Sequence, residues 1–203
     1  MHKTRVIPVL LLQGRSLVKT VKFRKPKYIG DPINAVRIFN EKEVDELVFL
    51  DIDASKTNKG PNFELLSNIA GEAFMPMAYG GGITSTEEIK KILYLGFEKV
   101  VINFSSFLDT NMISEAVRIF GSSSILGSLD VKKNFFGRYN LYSLSASKKM
   151  STTLAEHLNL LINLGVGEIL INSINNDGMM SGYDLELINL CSVNTDVPVI
   201  ACG

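Results

Sequence analysis

Two aspartates that follow apolar runs are the leading candidates for acid–base chemistry in this 203-residue chain. Asp130 follows residues 125–129, and Asp51 follows residues 47–50. A carboxylate beside apolar surface can have a raised pKa, which suits a general acid or base at neutral pH. Either side chain could instead be structural and accept hydrogen bonds from nearby backbone amides. The sequence leaves both interpretations open for each aspartate.

Glycine-rich turns are candidates for anion binding. Gly81 and Gly82 stand between an apolar run and a predicted helix, and Gly203 belongs to a second turn of the same type. Glycines let the backbone come close to a ligand, and the free N–H groups at a helix start favour phosphate. Two such turns indicate a substrate that carries two phosphates. A third turn, Asp177-Gly178, is either an ordinary turn or a further ligand contact.

Charged residues at the starts of apolar runs form a third group. A single polar residue at such a position is usually an ordinary surface charge. Four of them, two of each sign, could instead form a salt-bridged ring at the bottom of a barrel, where it would act as a stabilising feature or as a gate. The four residues are Arg5, Glu46, Lys99 and Glu168.

Composition argues against several classes of protein. The formal net charge is zero, which argues against a nucleic-acid partner. No apolar stretch approaches the roughly 20 residues needed to cross a membrane. With only two histidines, a zinc site or a Ser-His nucleophile is not expected, and we predict no metal and no cofactor. Cys191 and Cys202 are interpreted as reduced thiols of a cytoplasmic protein.

One basic run, residues 22–27, stands out in an otherwise balanced sequence. Its simplest interpretation is a solvated loop. The alternative is an anion-attracting lip over a ligand site.

The elements that must position these residues alternate between short β-rich runs and amphipathic helical runs, which indicates one α/β domain. The β-rich runs are continuously apolar, as in parallel strands buried on both faces. Helix starts carry capping residues, such as Asp31 before Pro32 and the pair Ser85 and Glu88. Seven strands are predicted, at residues 5–12, 46–53, 74–79, 99–104, 124–131, 168–174 and 197–201.

An internal repeat favours a barrel over an open doubly wound sheet. Residues 44–49 match residues 166–171, and residues 76–81 match residues 198–203 at the same offset. The predicted fold is therefore a (β/α)8 TIM barrel built from two (βα)4 half-barrels. The second half stops early, so we expect strand eight to be missing and the chain to be a C-terminally truncated piece of a protein of roughly 250 residues.

These features together resemble the cyclase subunit (HisF) of imidazole glycerol phosphate synthase, over effectively the whole chain. The motifs of the resemblance are residues 30–32, 45–51, 80–83, 101–103, 130, 177–178 and 181–184. The resemblance implies a barrel that receives ammonia from a HisH-like glutaminase docked on its N-terminal face. Ammonia would travel through the barrel to a bisphosphorylated substrate, which yields imidazole glycerol phosphate and an aminoimidazole carboxamide ribotide.

The resemblance also implies roles for individual residues. Asp130 matches the catalytic acid of the family, and the four charged residues named above match the ring through which ammonia enters. The phosphate-contacting positions of the family are matched by Gly82, Asn103, Asp177, Gly178 and Gly203.

One position departs from the family pattern. The general base of the family is an aspartate on the first strand, and Leu11 stands at that position here. Leucine cannot accept a proton, and general acid–base catalysis is typically worth about 10²–10⁴-fold. A chain that has the acid but lacks the base resembles the paralogues found with surface-polysaccharide genes. Residues 22–28 also resemble that branch, which is thought to pass ammonia to an amidotransferase acting on a nucleotide-linked sugar.

Three functions therefore compete. The first is an ammonia-conducting subunit that serves a sugar amidotransferase and has lost cyclisation. The second is a working cyclase of histidine biosynthesis, in which Asp51 substitutes for the missing base. The third is a non-catalytic scaffold that only activates its glutaminase partner.

Overall fold

A computed structural model describes residues 4–203, which fall into two compact units. The first unit contains the chain up to Lys19 together with Lys27–Val100, and the second contains Thr20–Pro26 together with Val101–Gly203. Each unit has its own parallel strands and covering helices, and the two are described separately below.

The first unit contains parallel strands of the predicted α/β type. Its strands are β1 (Val9–Gln13), β4 (Leu47–Asp51), β5 (Met77–Gly80) and the beginning of β6 (Lys99–Ile102), with part of β2 (Ser16–Val21) and of β3 (Arg24–Gly30). Its helices are α1 (Pro32–Glu41), α2 (Ala54–Thr57), α3 (Phe63–Ala70) and α4 (Thr86–Tyr94).

Register within the first unit sets β1, β4 and β5 side by side. Leu11 lies opposite Leu50, and Val48 lies opposite Ala78, both in parallel pairs. Val48, Phe49 and Ala78 are fully buried, because helices cover the strands from outside. The carboxyl ends of these strands therefore meet at one edge.

The second unit repeats this arrangement. Its strands are β7 (Ile125–Lys133), β8 (Tyr139–Ser143), β9 (Lys148–Lys149), β10 (Glu168–Ser173) and β11 (Val199–Cys202). Its helices are α5 (Thr110–Phe120), α6 (Leu154–Asn163) and α7 (Leu185–Ser192), with short 3-10 turns at Phe104–Phe107 and Ser122–Ser124.

Strands β7, β10 and β11 are parallel neighbours in the second unit. Asp130 of β7 pairs with Asn172 of β10, which pairs with Cys202 of β11. An antiparallel ribbon of β8 and β9 extends from β7, with Tyr142 opposite Asp130. Three carboxyl ends thus lie in one row.

Capping boxes fix the starts of two covering helices. The Ser85 hydroxyl accepts from the Glu88 amide at the start of α4, and the Glu88 carboxylate accepts from the Ser85 amide. Thr153 and Glu156 form the same reciprocal pair at the start of α6. The capping box predicted at Ser85 is confirmed.

The α/β class predicted from the sequence is confirmed, and the alternation of parallel strands with helices is that of a TIM barrel. All seven predicted strands exist, at shifted bounds. Three of them begin directly after Pro8, Pro76 and Pro198 rather than before, because proline has no N–H to donate to a strand ladder. The early end of the second half-barrel stays a prediction.

Antiparallel strands β2, β3, β8 and β9 were not predicted. The basic run at residues 22–27 was interpreted as a loop, and the structure assigns part of it to β3. No helix within residues 4–203 has the length and apolar character needed to cross a membrane.

Gly167 is closely packed in the second unit, so a larger side chain at this position should lower stability. A Cβ atom at Gly167 would lie 2.4 Å from the Ser122 carbonyl oxygen, and backbone cannot give way cheaply. Gly167→Ala should lower the free energy of unfolding by about 1–3 kcal/mol in a chemical denaturation experiment.

Gly71→Ala is the matched control. Gly71 has φ −65°, and its nearest obstacle, the Ser67 carbonyl oxygen, would lie 3.5 Å from the new Cβ. That change should be neutral or slightly stabilising. Equal stability of the two variants would contradict the packing account.

Candidate active site

Asp130 is the most deeply placed carboxylate at the carboxyl ends of the strands. Asp130 is 8% exposed, and the side-chain amide of Asn172 donates to Asp130 Oδ1 at 2.8 Å. Burial raises the pKa of Asp130 to about 6, although the hydrogen bond from Asn172 opposes the rise. Both protonation states are accessible near neutral pH, as a general acid requires.

Asp177 lies in the turn after β10 and anchors the basic segment. Its Oδ2 accepts from the Thr20 hydroxyl at 2.8 Å and from the Phe23 amide at 2.9 Å, and its carbonyl oxygen accepts from the Lys22 amide. The carboxylate therefore holds the chain segment that carries Lys22, Arg24 and other cations. A basic lip fixed to the turn agrees with the alternative interpretation of this segment.

Two glycines of the second unit allow backbones to approach closely. A Cβ at Gly178 would lie 2.2 Å from the Thr20 carbonyl oxygen, and one at Gly203 would lie 2.6 Å from the Ser173 carbonyl oxygen. Both have positive φ, at +67° and +116°. Glycine is thus required at each position by packing as well as by backbone conformation.

Asn103 follows β6 and is held by its neighbours on both sides. Its Nδ2 donates to the Ser128 carbonyl oxygen at 3.0 Å, and its Oδ1 accepts from the Ser143 hydroxyl at 2.8 Å. The Asn103 carbonyl oxygen accepts from the Ser106 hydroxyl at 2.6 Å. One Nδ2 proton is not used by these bonds and is chemically suited to an anion.

Asp51, in the first unit, accepts hydrogen bonds from nearby backbone amides, which is the structural interpretation that the sequence left open. Its Oδ1 accepts from the amides of Asp53 and Ala54, each at 3.0 Å. Burial raises the pKa of Asp51, while the two amides pull the pKa down. Leu11 and Leu50 lie side by side on the neighbouring strands, so β1 offers no carboxylate at that register.

The glycine turn after β5 packs against the Asp51 turn. A Cβ at Gly81 would lie 2.6 Å from the Asp51 carbonyl oxygen, and one at Gly82 would lie 2.8 Å from Ala54 Cβ. The Gly82 amide donates to the Ser55 hydroxyl at 3.0 Å. The turn is compact, and an anion would have to compete with Ser55 for that amide.

A buried charge cluster lies at the opposite ends of the strands in the first unit. The Glu46 side chain is 3% exposed and accepts from Arg5 Nη1 at 2.9 Å and from Lys99 Nζ at 2.9 and 3.1 Å. Three of the four predicted ring members therefore meet. Glu168, the fourth, begins β10 of the second unit.

Two contacts of the candidate site were not predicted from the sequence. The donation from Asn172 to Asp130 depends on strand register, for which residues 130 and 172 give no local signal. The Thr20 contact with Asp177 joins residues far apart in the chain, and only the ligand-contact and turn interpretations of Asp177 were considered.

Replacing Asp130 by Asn should stabilise the protein at alkaline pH. Because the fold raises the pKa of Asp130 from about 4 to about 6, ionisation in the fold is unfavourable, and the penalty grows as pH rises through this range. At pH 8, Asp130→Asn should raise the free energy of unfolding by about 1–3 kcal/mol, and the difference should shrink towards pH 4.

Denaturant unfolding at several pH values measures this difference. The exposed Asp196 supplies the control, Asp196→Asn, for which no such pH-dependent gain is expected. A wild-type protein as stable as Asp130→Asn at pH 8 would overturn the assignment of a burial penalty to this carboxylate.

Comparison with known proteins assigns the chain to a family. The family described as histidine biosynthesis protein matches residues 5–203. A protein of Pseudomonas aeruginosa, provisionally named imidazole glycerol phosphate synthase subunit hisF2, is 52% identical over 203 residues, covering 100% of this chain and 81% of that protein. A provisionally named hisF3 subunit of Vibrio vulnificus is 45% identical over 204 residues, covering 100% of this chain and 78% of that protein.

An enzyme subunit without that provisional name is also similar. The imidazole glycerol phosphate synthase subunit HisF of Streptococcus mutans is 34% identical over 203 residues, covering 100% of this chain and 81% of that protein. The resemblance drawn from the motifs is thereby confirmed: the chain belongs to the histidine biosynthesis protein family, and within it to the HisF-like proteins.

Proposed function

We propose that this chain is the ammonia-conducting barrel subunit of a glutamine amidotransferase complex and does not catalyse the cyclase reaction. It receives ammonia from a HisH-like glutaminase docked at the amino ends of its strands. It delivers the ammonia to a phosphorylated or nucleotide-sugar acceptor, which a sugar amidotransferase would bind. The observation that carries the proposal is Leu11 beside Leu50 in a chain that keeps Asp130 and the buried charge cluster.

The charge cluster supports an inlet at the amino ends of the strands. Glu46 is almost fully buried between Arg5 and Lys99, and burying an ion pair is expensive unless the geometry is good. Hydrophobic side chains in place of Glu46 and its partners would avoid this cost if stability were the only requirement. Glu168 is assigned to the same gate through its position at the start of β10.

Phosphate binding is supported by the turns at the carboxyl ends. We assign phosphate contacts to Gly81, Gly82, Asn103, Gly178 and Gly203. The support for this is the positive φ of the four glycines, which shapes tight turns, and the unused Nδ2 proton of Asn103, which suits an anion. Cations of the segment anchored by the Asp177 carboxylate would add attraction, so this acidic residue acts by holding that segment.

Loss of cyclisation follows from the chemistry available at the first strand. Cyclisation in this family needs a base there, and a leucine side chain cannot take a proton. Asp51 is the nearest substitute along the neighbouring strand, but its Oδ1 already accepts two backbone amides. Asp130 keeps the acid role, poised by its raised pKa.

A working cyclase is the second candidate, favoured by one observation. Burial raises the pKa of Asp51, which brings that carboxylate closer to the range of a general base. The third candidate, a scaffold that only activates the glutaminase, gives no reason to keep Asp130 buried and hydrogen-bonded to Asn172.

Genetic complementation separates the first two candidates. The gene for this chain should fail to restore growth of a cyclase-deficient histidine auxotroph on minimal medium, because the first-strand base is absent. The HisF subunit of Streptococcus mutans, expressed at the same level, is the positive control. Growth supported by this chain would favour the cyclase with Asp51 as its base.

Lys99→Met tests the inlet in the purified complex with glutaminase. Removing one of the two cations that pair with Glu46 should disturb ammonia entry, so glutamine-dependent amidation of the acceptor should fall several-fold. Amidation driven by added ammonium chloride and glutamate release by the glutaminase should both persist.

The matched control is Lys90→Met, which removes a cation from the exposed side of α4. It should leave both reactions unchanged. Glutamine-dependent amidation that survives Lys99→Met intact would remove the case for a gated conduit.

A further inference from the structure

His157 is a buried titratable group that the proposed function does not use. It lies on α6, is 2% exposed, and has Nε2 2.8 Å from the Ser106 hydroxyl oxygen. Its ring stacks on Phe107, with centroids 3.8 Å apart and planes 6° from parallel. Both contacts reach the same short 3-10 turn, Phe104–Phe107, which follows Asn103.

The available protons determine the direction of the hydrogen bonds among His157, Ser106 and Asn103. Ser106 has one hydroxyl proton, and its oxygen lies 2.6 Å from the Asn103 carbonyl oxygen, which can only accept. That proton therefore goes to Asn103, and the Ser106 oxygen must accept from His157. Nε2 of His157 must therefore carry a proton, as it does in the Nε2–H tautomer and in the protonated ring.

The electrostatics agree with a neutral ring. Burial lowers the pKa of His157 to about 4, so the ring keeps a single proton at physiological pH. Stacking on Phe107 offers further contact that suits an uncharged ring. The donor–acceptor chain from His157 through Ser106 to Asn103 is thus constant across the physiological range.

The chain of hydrogen bonds ends at a residue assigned to phosphate binding. The side chain of Asn103 is held by the Ser128 carbonyl oxygen and the Ser143 hydroxyl, and its main chain is held by Ser106. Of these three contacts, only the one through Ser106 leads on to a helix, because Ser106 contacts His157 of α6. A loop fixed in its binding conformation before the ligand arrives loses less entropy on binding.

We infer that His157 is a positioning residue for phosphate-ester binding: through Ser106 and Phe107 it orders the turn after β6 and so aims Asn103. The inference rests on the proposed phosphate site but adds a residue that never touches the ligand. Asn103 contacts the ester, and His157 acts only through the turn.

Three variants separate the hydrogen bond from the packing. His157→Phe keeps a ring that can stack on Phe107 and removes the donor. His157→Gln returns an amide donor near the position of Nε2. Ser106→Ala removes this bond together with the bond from Ser106 to the Asn103 carbonyl oxygen, and it serves if His157→Phe fails to fold.

The first readout is amide hydrogen exchange in the ligand-free protein. The Ser106 amide donates to Asn103 and the Leu108 amide donates to Ser105, so both report on the turn. Exchange at these amides should accelerate about three- to tenfold in His157→Phe and in Ser106→Ala, and should return towards wild type in His157→Gln. Unchanged exchange in the first two variants would overturn the inference.

The second readout is calorimetric affinity for imidazole glycerol phosphate, with inorganic phosphate as the smaller probe. His157→Phe should weaken binding about three- to tenfold, and His157→Gln should restore it. Faster exchange with unchanged affinity would reduce His157 to a structural residue and overturn the inference. If wild-type protein bound neither probe, the proposed phosphate site would fail instead, and exchange alone would decide whether His157 orders the turn.

Discussion

Parallel register between neighbouring strands is the constraint on which the candidate site depends. It sets Asp130, Asn172 and Cys202 in one row in the second unit and Leu11 beside Leu50 in the first. A shift of one residue in β10 would turn Asn172 away from Asp130 and leave a buried carboxylate without its donor, because strand side chains alternate between faces. Three of the strands begin just after prolines, and capped helices cover the strands.

The sequence predicted the parallel strands well, because continuous apolar runs between capped helices have few alternative interpretations. Of the two interpretations of the charges at the strand starts, a salt-bridged ring is the one that agrees with the contacts of Arg5, Glu46 and Lys99, since strand starts in one parallel sheet face the same end. The antiparallel strands β2, β3, β8 and β9 were missed. Strands β3 and β9 are mostly exposed, as loops are, while β2 and β8 mix buried and polar residues, and the pairing that makes all four strands is not a local property.

Side-chain partners were harder to predict than strands. Asp177 was matched to a phosphate contact, which stays a prediction, and the bonds that its carboxylate accepts from Thr20 and Phe23 were not foreseen. Asp51 was left open between catalysis and capping, and it accepts two amides while burial raises its pKa. The partners of Asp177 come from a segment far away in the chain, whereas those of Asp51 are two and three residues on, a local pattern typical of aspartate in turns.

A HisF-like chain with leucine at the first-strand position combines two demands that are chemically separable. Ammonia passage needs a charged inlet and a route, whereas cyclisation also needs a base and an acid facing a bound ribotide. Burial raises the pKa of Asp130 against the opposing hydrogen bond from Asn172, and it is unfavourable for stability at alkaline pH, as is common for functional groups. Under the proposed function, an acceptor that needs a proton donor would account for a buried Asp130 in a chain with Leu11 on its first strand.

The most direct test bypasses the glutaminase. The purified chain is given the bisphosphorylated ribotide and saturating ammonium chloride, and formation of imidazole glycerol phosphate is followed beside the Streptococcus mutans HisF subunit. The account predicts no product above the background without protein, because no group on the first strand accepts the proton. Turnover comparable to that of the Streptococcus mutans subunit would contradict it.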